Sequence, residues 1–153
     1  MHIKHHRLLA AAVLTAAVPG GILATQAGAS TMPHAVAAKA STVALRSTHL
    51  GHILVAGSTG RTLYLYDKDG KNKSNCTGSC AAVWPPLMAS GKPSAGAGVS
   101  GSKLGEIKRG GGHQVTYAGH PLYTFQSDSA AGQTSGEGVG GFYVVAASGS
   151  AVK

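Results

Sequence analysis

Two stretches of this chain read alike. Leu63-Tyr64-Leu65-Tyr66-Asp67-Lys68-Asp69 and Leu122-Tyr123-Thr124-Phe125-Gln126-Ser127-Asp128 both carry Leu followed by Y-x-[YF]-x-x-D. A long pattern that recurs once divides a chain into two related halves, and it limits the fold to what a duplicated unit can build. Solenoids and propellers call for about three or more copies, because one unit cannot bury its apolar face without neighbours. Two copies point instead to a closed pair. Alternation along the first stretch places Leu63 and Leu65 on one face of a strand and Tyr64 and Tyr66 on the other, so both faces are expected to be covered.

The segments around the motifs read as short strands and turns. Val43-Ala44-Leu45-Arg46 and Ile53-Leu54-Val55-Ala56 are β-type runs, and the turn signal Gly57-Ser58-Thr59-Gly60 predicts a hairpin into a strand over Thr62 to Asp67. The later half predicts a meander: Leu104 to Arg109, a turn at Gly110-Gly111-Gly112, Gln114 to Tyr117, a turn at Ala118-Gly119, then Pro121 to Gln126. A last strand covers Phe142 to Ala146. Asp67-Lys68-Asp69-Gly70 ends the first motif strand by turn chemistry. Thr77 to Val83 fits one helical turn, and Trp84-Pro85-Pro86-Leu87 is extended, since proline disfavours helix in the residue before it. Gly51-x-Ile53 matches Gly105-x-Ile107 at a shorter spacing than the tyrosine motifs, which implies an insertion or deletion between the halves. With 23 Gly and no helix-length pattern, the fold class is all-β. The expected architecture is a small compact sandwich or barrel of two homologous repeats, residues 50–88 and 102–147, joined by an Ala/Gly/Ser-rich connector over 89–101.

The start of the chain reads as an address. Lys4 and Arg7 precede an apolar run from Leu8 to Val18, and Ala27-Gly28-Ala29 is the small-x-small pattern of a signal-peptidase site. The run is shorter than the roughly 20 residues that span a bilayer. Residues 1–29 are therefore expected to be a signal peptide, 30–41 a flexible leader, and 42–149 the two-repeat domain, secreted or wall-associated. The chain carries 13 Lys and Arg against 5 Asp and Glu. In an exported protein such a balance favours anionic partners, with Lys68, Lys71, Lys73, Lys108 and Arg109 as candidate contacts for a wall polymer. The lysines are scattered, which equally suits a solvated surface.

Together with Ser74-Asn75-Cys76-Thr77-Gly78-Ser79-Cys80, Trp84-Pro85-Pro86-Leu87 and Gln114-Val115-Thr116-Tyr117-x-Gly119-His120-Pro121-Leu122-Tyr123, the motifs resemble a bacterial family known as the secreted repeat of unknown function. Its members include predicted lipoproteins with the Y-x-[FWY]-x-x-D motif. The resemblance covers about residues 50–146 and implies an exported, usually surface-attached repeat domain without an established activity. This chain lacks a cysteine beside the cleavage site, so lipid anchoring is not expected. It also has Gly110-Gly111-Gly112 where relatives often carry an acidic turn.

Several residues could carry chemistry. Cys76 and Cys80 are the only cysteines, and on a helical turn their Cα atoms would lie about 6 Å apart, within disulfide range. In an exported chain a disulfide is the default, stabilising by about 2 kcal/mol and pinning the loop that carries Trp84. The alternative is a thiolate pair that cycles redox states or holds copper, with Met88 or His120 as auxiliary ligands. Asp67-x-Asp69-Gly70-x-Asn72 has the outline of a Ca²⁺ loop, but Lys68, Lys71 and Lys73 intrude and the distal Glu is missing, so a turn is the reading. The paired tyrosines, Tyr64 with Tyr66, could form an aromatic platform for sugars or bases, yet two aromatics at strand spacing more often make core. Asp69 and Asp128 are expected to accept hydrogen bonds from turn backbone or from a tyrosine hydroxyl. His49-x-x-His52 would form a metal pair only on a helix, and its surroundings are extended. Neither G-x-S-x-G nor a P-loop is present, and no enzyme is expected. Two functional classes remain: a non-catalytic structural or binding module whose partner is an anionic wall polymer or a surface protein, and a small redox or copper protein. Specific nucleic-acid binding is not expected.

Overall fold

The computed structural model describes residues 42–153. The expected signal peptide and leader lie outside the described residues. Each repeat opens with a hairpin. β1 (Val43–Thr48) pairs with β2 (Gly51–Ala56), and β5 (Leu104–Arg109) pairs with β6 (Gly112–Tyr117), in matching registers that close on Thr48 with Gly51 and on Arg109 with Gly112. This register corrects the alignment read from the sequence. Gly51 corresponds to Gly112, not Gly105, and Gly105 sits in the strand equivalent to β1. The halves instead differ in the next turn, Gly57–Thr62 in one repeat and the shorter Ala118–Pro121 in the other.

After that turn come the motif strands. The predicted hairpin across Gly57–Gly60 forms only at its base, where Ala56 N–H bonds Arg61 C=O and Leu63 N–H bonds Leu54 C=O at 3.0 Å. β3 (Tyr64–Tyr66) then leaves its own hairpin and pairs with β8 (Phe142–Val144) from the far end of the other repeat. The exchange is reciprocal. The short strand β4 (Met88–Ala89), at the end of the first repeat, pairs with β6 of the second, which also holds β7 (His120–Pro121). Pro86 faces Tyr123 as Val144 faces Tyr64, but Pro85 and Pro86 have no N–H to give, so only a bridge forms there.

Backbone hydrogen bonds show how tightly each crossover is tied. Leu63 N–H bonds Leu54 C=O, Leu54 N–H bonds Val145 C=O, and Val145 N–H returns to Leu63 C=O. Leu122, Val115 and Leu87 repeat the ring, atom for atom, at 3.0, 2.8 and 2.9 Å. Each ring takes two residues from one repeat and one from the other. Five of these six residues are buried in one apolar cluster, and Leu87 packs against it, with Val43, Ala56, Leu65, Val99 and Tyr117 filling the remainder. Alternate residues of the same strands, Ile53, Val55, Tyr64, Tyr123, Phe142 and Val144, face a second cluster with Cys76 and Trp84. Both faces of the motif strand are therefore covered, as the alternation requires.

The result is antiparallel sheets with one five-residue helix, α1 (Ser79–Val83), and they do not close into a barrel. The connector is not a free linker. Ala95 bridges Val43, Thr42 N–H bonds Ser94 C=O, and Val99 enters the core. Order continues past residue 149, since Ala151 bridges Val145 and Val152 N–H bonds Val144 C=O.

Because each repeat's hydrogen-bond ring needs a residue from the other, neither half is complete alone. A fragment of residues 42–101 should give a disordered circular-dichroism spectrum by itself and regain strand signal when co-expressed with residues 102–153. A fragment folded on its own would contradict the crossover as the source of stability.

Candidate functional site

The two motif strands meet at Tyr64 and Tyr123, which exchange both backbone hydrogen bonds at 2.9 and 3.0 Å. From this point the side chains cross over. Tyr64 donates its hydroxyl to Asp128 Oδ2 of the other repeat at 2.6 Å, and Tyr123 donates to Asp69 Oδ2 at 2.7 Å. Each aspartate also orders its own loop, Asp69 accepting from Asn75 N–H at 2.6 Å and Asp128 from Ser135 N–H at 3.0 Å. Both expected kinds of donor, turn backbone and tyrosine hydroxyl, are thus present. Each tyrosine comes from the opposite repeat.

The third motif position builds an aromatic column. Tyr66 stacks on Phe142 at 4.3 Å, Phe142 on Trp84 at 3.9 Å, and Trp84 on Phe125 at 4.4 Å. Tyr64 meets Trp84 edge-on at 5.2 Å, and Tyr123 meets Phe142 edge-on at 5.4 Å, both favourable geometries for rings with negative faces and positive edges. Trp84 and Phe142 hold equivalent places in the two crossovers. Gly136 is required beside them: a Cβ there would lie 2.6 Å from Trp84 Cη2. The aromatics are a centre rather than a platform, for Tyr64 and Tyr123 are fully buried.

Burial, and then the bond to Asp128, raises the Tyr64 phenol well above its usual value. Burial and the bond to Asp69 push Tyr123 up to about 12. Asp69 is itself raised by burial, with the Asn75 and Tyr123 hydrogen bonds offsetting part of that cost. Cys76 and Cys80 are bonded to one another, Cα atoms 5.3 Å apart, at the start of α1, whose Cys80 C=O accepts from Trp84 N–H at 2.8 Å. Of the auxiliary ligands weighed for copper, Met88 faces Gln114 and His120 faces Tyr117, at different points along β6. His52 binds Ser47 Oγ on a strand. The Asp67–Asn72 segment is a turn closed by Gly70 and Lys73, with Asp69 committed to Asn75 and Tyr123.

One arrangement was not anticipated. Gln114 is fully buried, and its Nε2 donates to Leu122 C=O at 2.9 Å while Oε1 accepts from Arg109 at 2.8 Å. Arg109 also donates to Ser74 Oγ and Cys76 C=O. Ser74 lies 2.7 Å from the Tyr123 hydroxyl. A phenol has one hydrogen, so with Asp69 receiving it, Ser74 donates to Tyr123, and every donor from Arg109 to Asp69 points the same way. An open cavity of about 470 Å³ lies beside this relay, lined by Asn72, Lys73, Ser74, Thr77, Ile107, Lys108 and Arg109. A second, of about 380 Å³, runs on from Lys108 and Arg109 along Gly110–Gly112 to His113. Of the basic residues named from the sequence, Lys73, Lys108 and Arg109 share this groove. Lys71 lies along Gly119 instead, and Lys68 does not line the groove.

These features define a two-repeat antiparallel β-protein whose signature residues are cross-paired between the repeats. The chain belongs to the family described as a secreted repeat of unknown function, which matches residues 44–88 and 107–146, one segment in each repeat. No curated protein and no solved structure matches it. Among the described residues no helix is long and apolar enough to cross a membrane.

Two predictions follow from the cross-pairing. Tyr64→Phe leaves Asp128, which is 2% exposed, with only the Ser135 N–H bond to its carboxylate, and should cost about 2–3 kcal/mol in denaturant unfolding. Asp69→Asn, which keeps an acceptor at a less buried position, should cost less. The raised phenols also fix the sign of the alkaline response. Their stabilising contribution is fully present below the unfolded tyrosine value of about 10 and is lost as pH rises through the folded values. Absorbance of phenolate against pH should therefore show a late step coincident with unfolding, reduced in Tyr123→Phe.

Proposed function

We propose that this protein is a non-catalytic extracellular module, structural or binding, released after cleavage at Ala29 and held at or near the bacterial surface without a lipid. The observation that carries this reading is that the signature side chains satisfy one another. Tyr64 and Asp128, Tyr123 and Asp69, and Cys76 and Cys80 are all paired inside the protein. A general acid or nucleophile must reach a substrate, and these groups are turned inward. The family's description as secreted supports the compartment, and the disulfide suits an oxidising one. The partner belongs to the surface: an anionic envelope polymer or a surface protein.

Native mass spectrometry of protein purified from culture supernatant without reductant tests this. The expected mass is that of Ser30–Lys153 less two hydrogens, with nothing bound. Added mass matching copper, lost in Cys76→Ser, would replace the module with a metal-binding protein. A retained lipid would overturn the soluble release.

A further inference from the structure

The two repeats are alike in backbone but not in charge, and the difference is concentrated at one place. By the hairpin registers and the matching hydrogen-bond rings, Gln114 occupies the position of Ile53, Arg109 that of Thr48, and Lys108 that of Ser47. Ile53 and Gln114 are both fully buried. The fold is therefore served by an aliphatic side chain at this position, and in the second repeat it holds a polar one that must be satisfied by Arg109 and Leu122. Replacing buried apolar contacts by a polar network is neutral or costly to stability. What the network does achieve is to fix a guanidinium at the base of an open groove.

Arg109 has five N–H donors, and the bonds to Ser74, Gln114 and Cys76 use three, leaving two. Lys73 and Lys108 are exposed and line the same cavity, and Asn72, Ser74 and Thr77 add neutral hydrogen-bonding groups. No acidic side chain lines either cavity. Asp69, Asp128 and Glu137 are occupied by Tyr123, Tyr64 and Val144 N–H, and Glu106 faces His113 at 3.4 Å. On the corresponding face of the first repeat Arg46 is laid along Gly132 and Gly60, and Ser47 and Thr48 stand where the second repeat has Lys108 and Arg109. A guanidinium fixed by three hydrogen bonds, with two exposed ammonium groups and small hydroxyls lining the same cavity, suits phosphate. Apart from the His113 imidazole at one end, the groove lining contains no aromatic ring, and the aromatic column is internal, so the broad Phe, Tyr or Trp surface used to stack bases or sugar rings is missing there.

Resting on the reading of the protein as an extracellular binding module, we propose that the groove of Lys73, Lys108 and Arg109 binds a phosphodiester-linked polyol of the cell envelope, phosphate by phosphate along the two cavities that share Lys108 and Arg109. Binding should weaken linearly in log–log form with salt, with a slope of about −2 for three cations, as counterion release requires.

The test uses the full mature protein and a purified poly(glycerol phosphate), titrated at several salt concentrations. Lys73→Gln with Lys108→Ser, both at exposed positions, should leave the melting temperature unchanged, lower affinity at least about ten-fold and flatten the salt slope to about −0.7. Arg109→Thr with Gln114→Ile, which copies the first repeat, should melt no lower than the parent and also lose binding. Unchanged affinity in the lysine variant would overturn the proposal. So would equal binding of polyglutamate or duplex DNA, which would reduce the groove to general attraction for polyanions. A marked drop in melting temperature in the Arg109, Gln114 variant would make the network structural and remove the asymmetry argument. None of these failures touches the reading of an exported module without metal or lipid, which the mass measurement tests separately.

Discussion

The structure depends on a crossing at its centre. Tyr64 and Tyr123 exchange backbone hydrogen bonds and each sends its hydroxyl to the carboxylate of the opposite repeat. An ionised carboxylate in such a place is tolerated only while it accepts enough hydrogen bonds, and the loop N–H groups of Asn75 and Ser135 complete the set. One aspartate therefore joins three things: the end of its own motif strand, the loop that follows, and the centre of its neighbour. The aromatic column and the two backbone rings sit around this crossing with the same approximate two-fold relation. Stability is shared between the halves rather than summed over them.

Around that symmetric centre the exterior is not symmetric. The second repeat gives up an aliphatic contact at Gln114 and gains a chain of donors running from Arg109 through Ser74 and Tyr123 to Asp69. The Cys76–Cys80 bond holds the loop that delivers both Ser74 and the carbonyl that Arg109 grips. The disulfide thus serves the groove as well as Trp84. The geometry separates two regions: an interior where the side chains of the shared motif pair with one another, and one face where the copies have diverged.

Much of the fold was legible because the repeat motif encodes it directly. Alternating Leu and Tyr announced a strand covered on both faces, the proline pair announced an extended segment, and cysteines four apart announced a local bond. What the sequence concealed was partnership. Nothing in Tyr64 and Asp69 says that each is paired in the other repeat, because hydrogen-bond partners across a crossover leave no spacing signal. The Gly-x-Ile match was a second obstacle. It set Gly51 against Gly105 by chance resemblance, and so hid the equivalence of Gly51 with Gly112 that would have placed Gln114 opposite Ile53. With that register in hand, a glutamine within a strand of Val, Thr and Tyr stands out. The basic residues were legible only as a list, since Lys73 and Lys108 lie far apart in sequence and are gathered by the approach of a loop from one repeat to a hairpin of the other.

The reciprocal crossover also bears on how such a protein could have arisen. A chain with a single repeat would have a hairpin lacking its third hydrogen-bonding partner and a terminal strand with nowhere to go. Two copies of that chain would satisfy one another, giving a homodimer in which every surface feature appears twice. Fusing the copies into one polypeptide ends that obligation, and mutation can then act on one half without its echo in the other. A buried glutamine under one hairpin and an isoleucine under its twin is a difference that a pair of identical chains cannot hold.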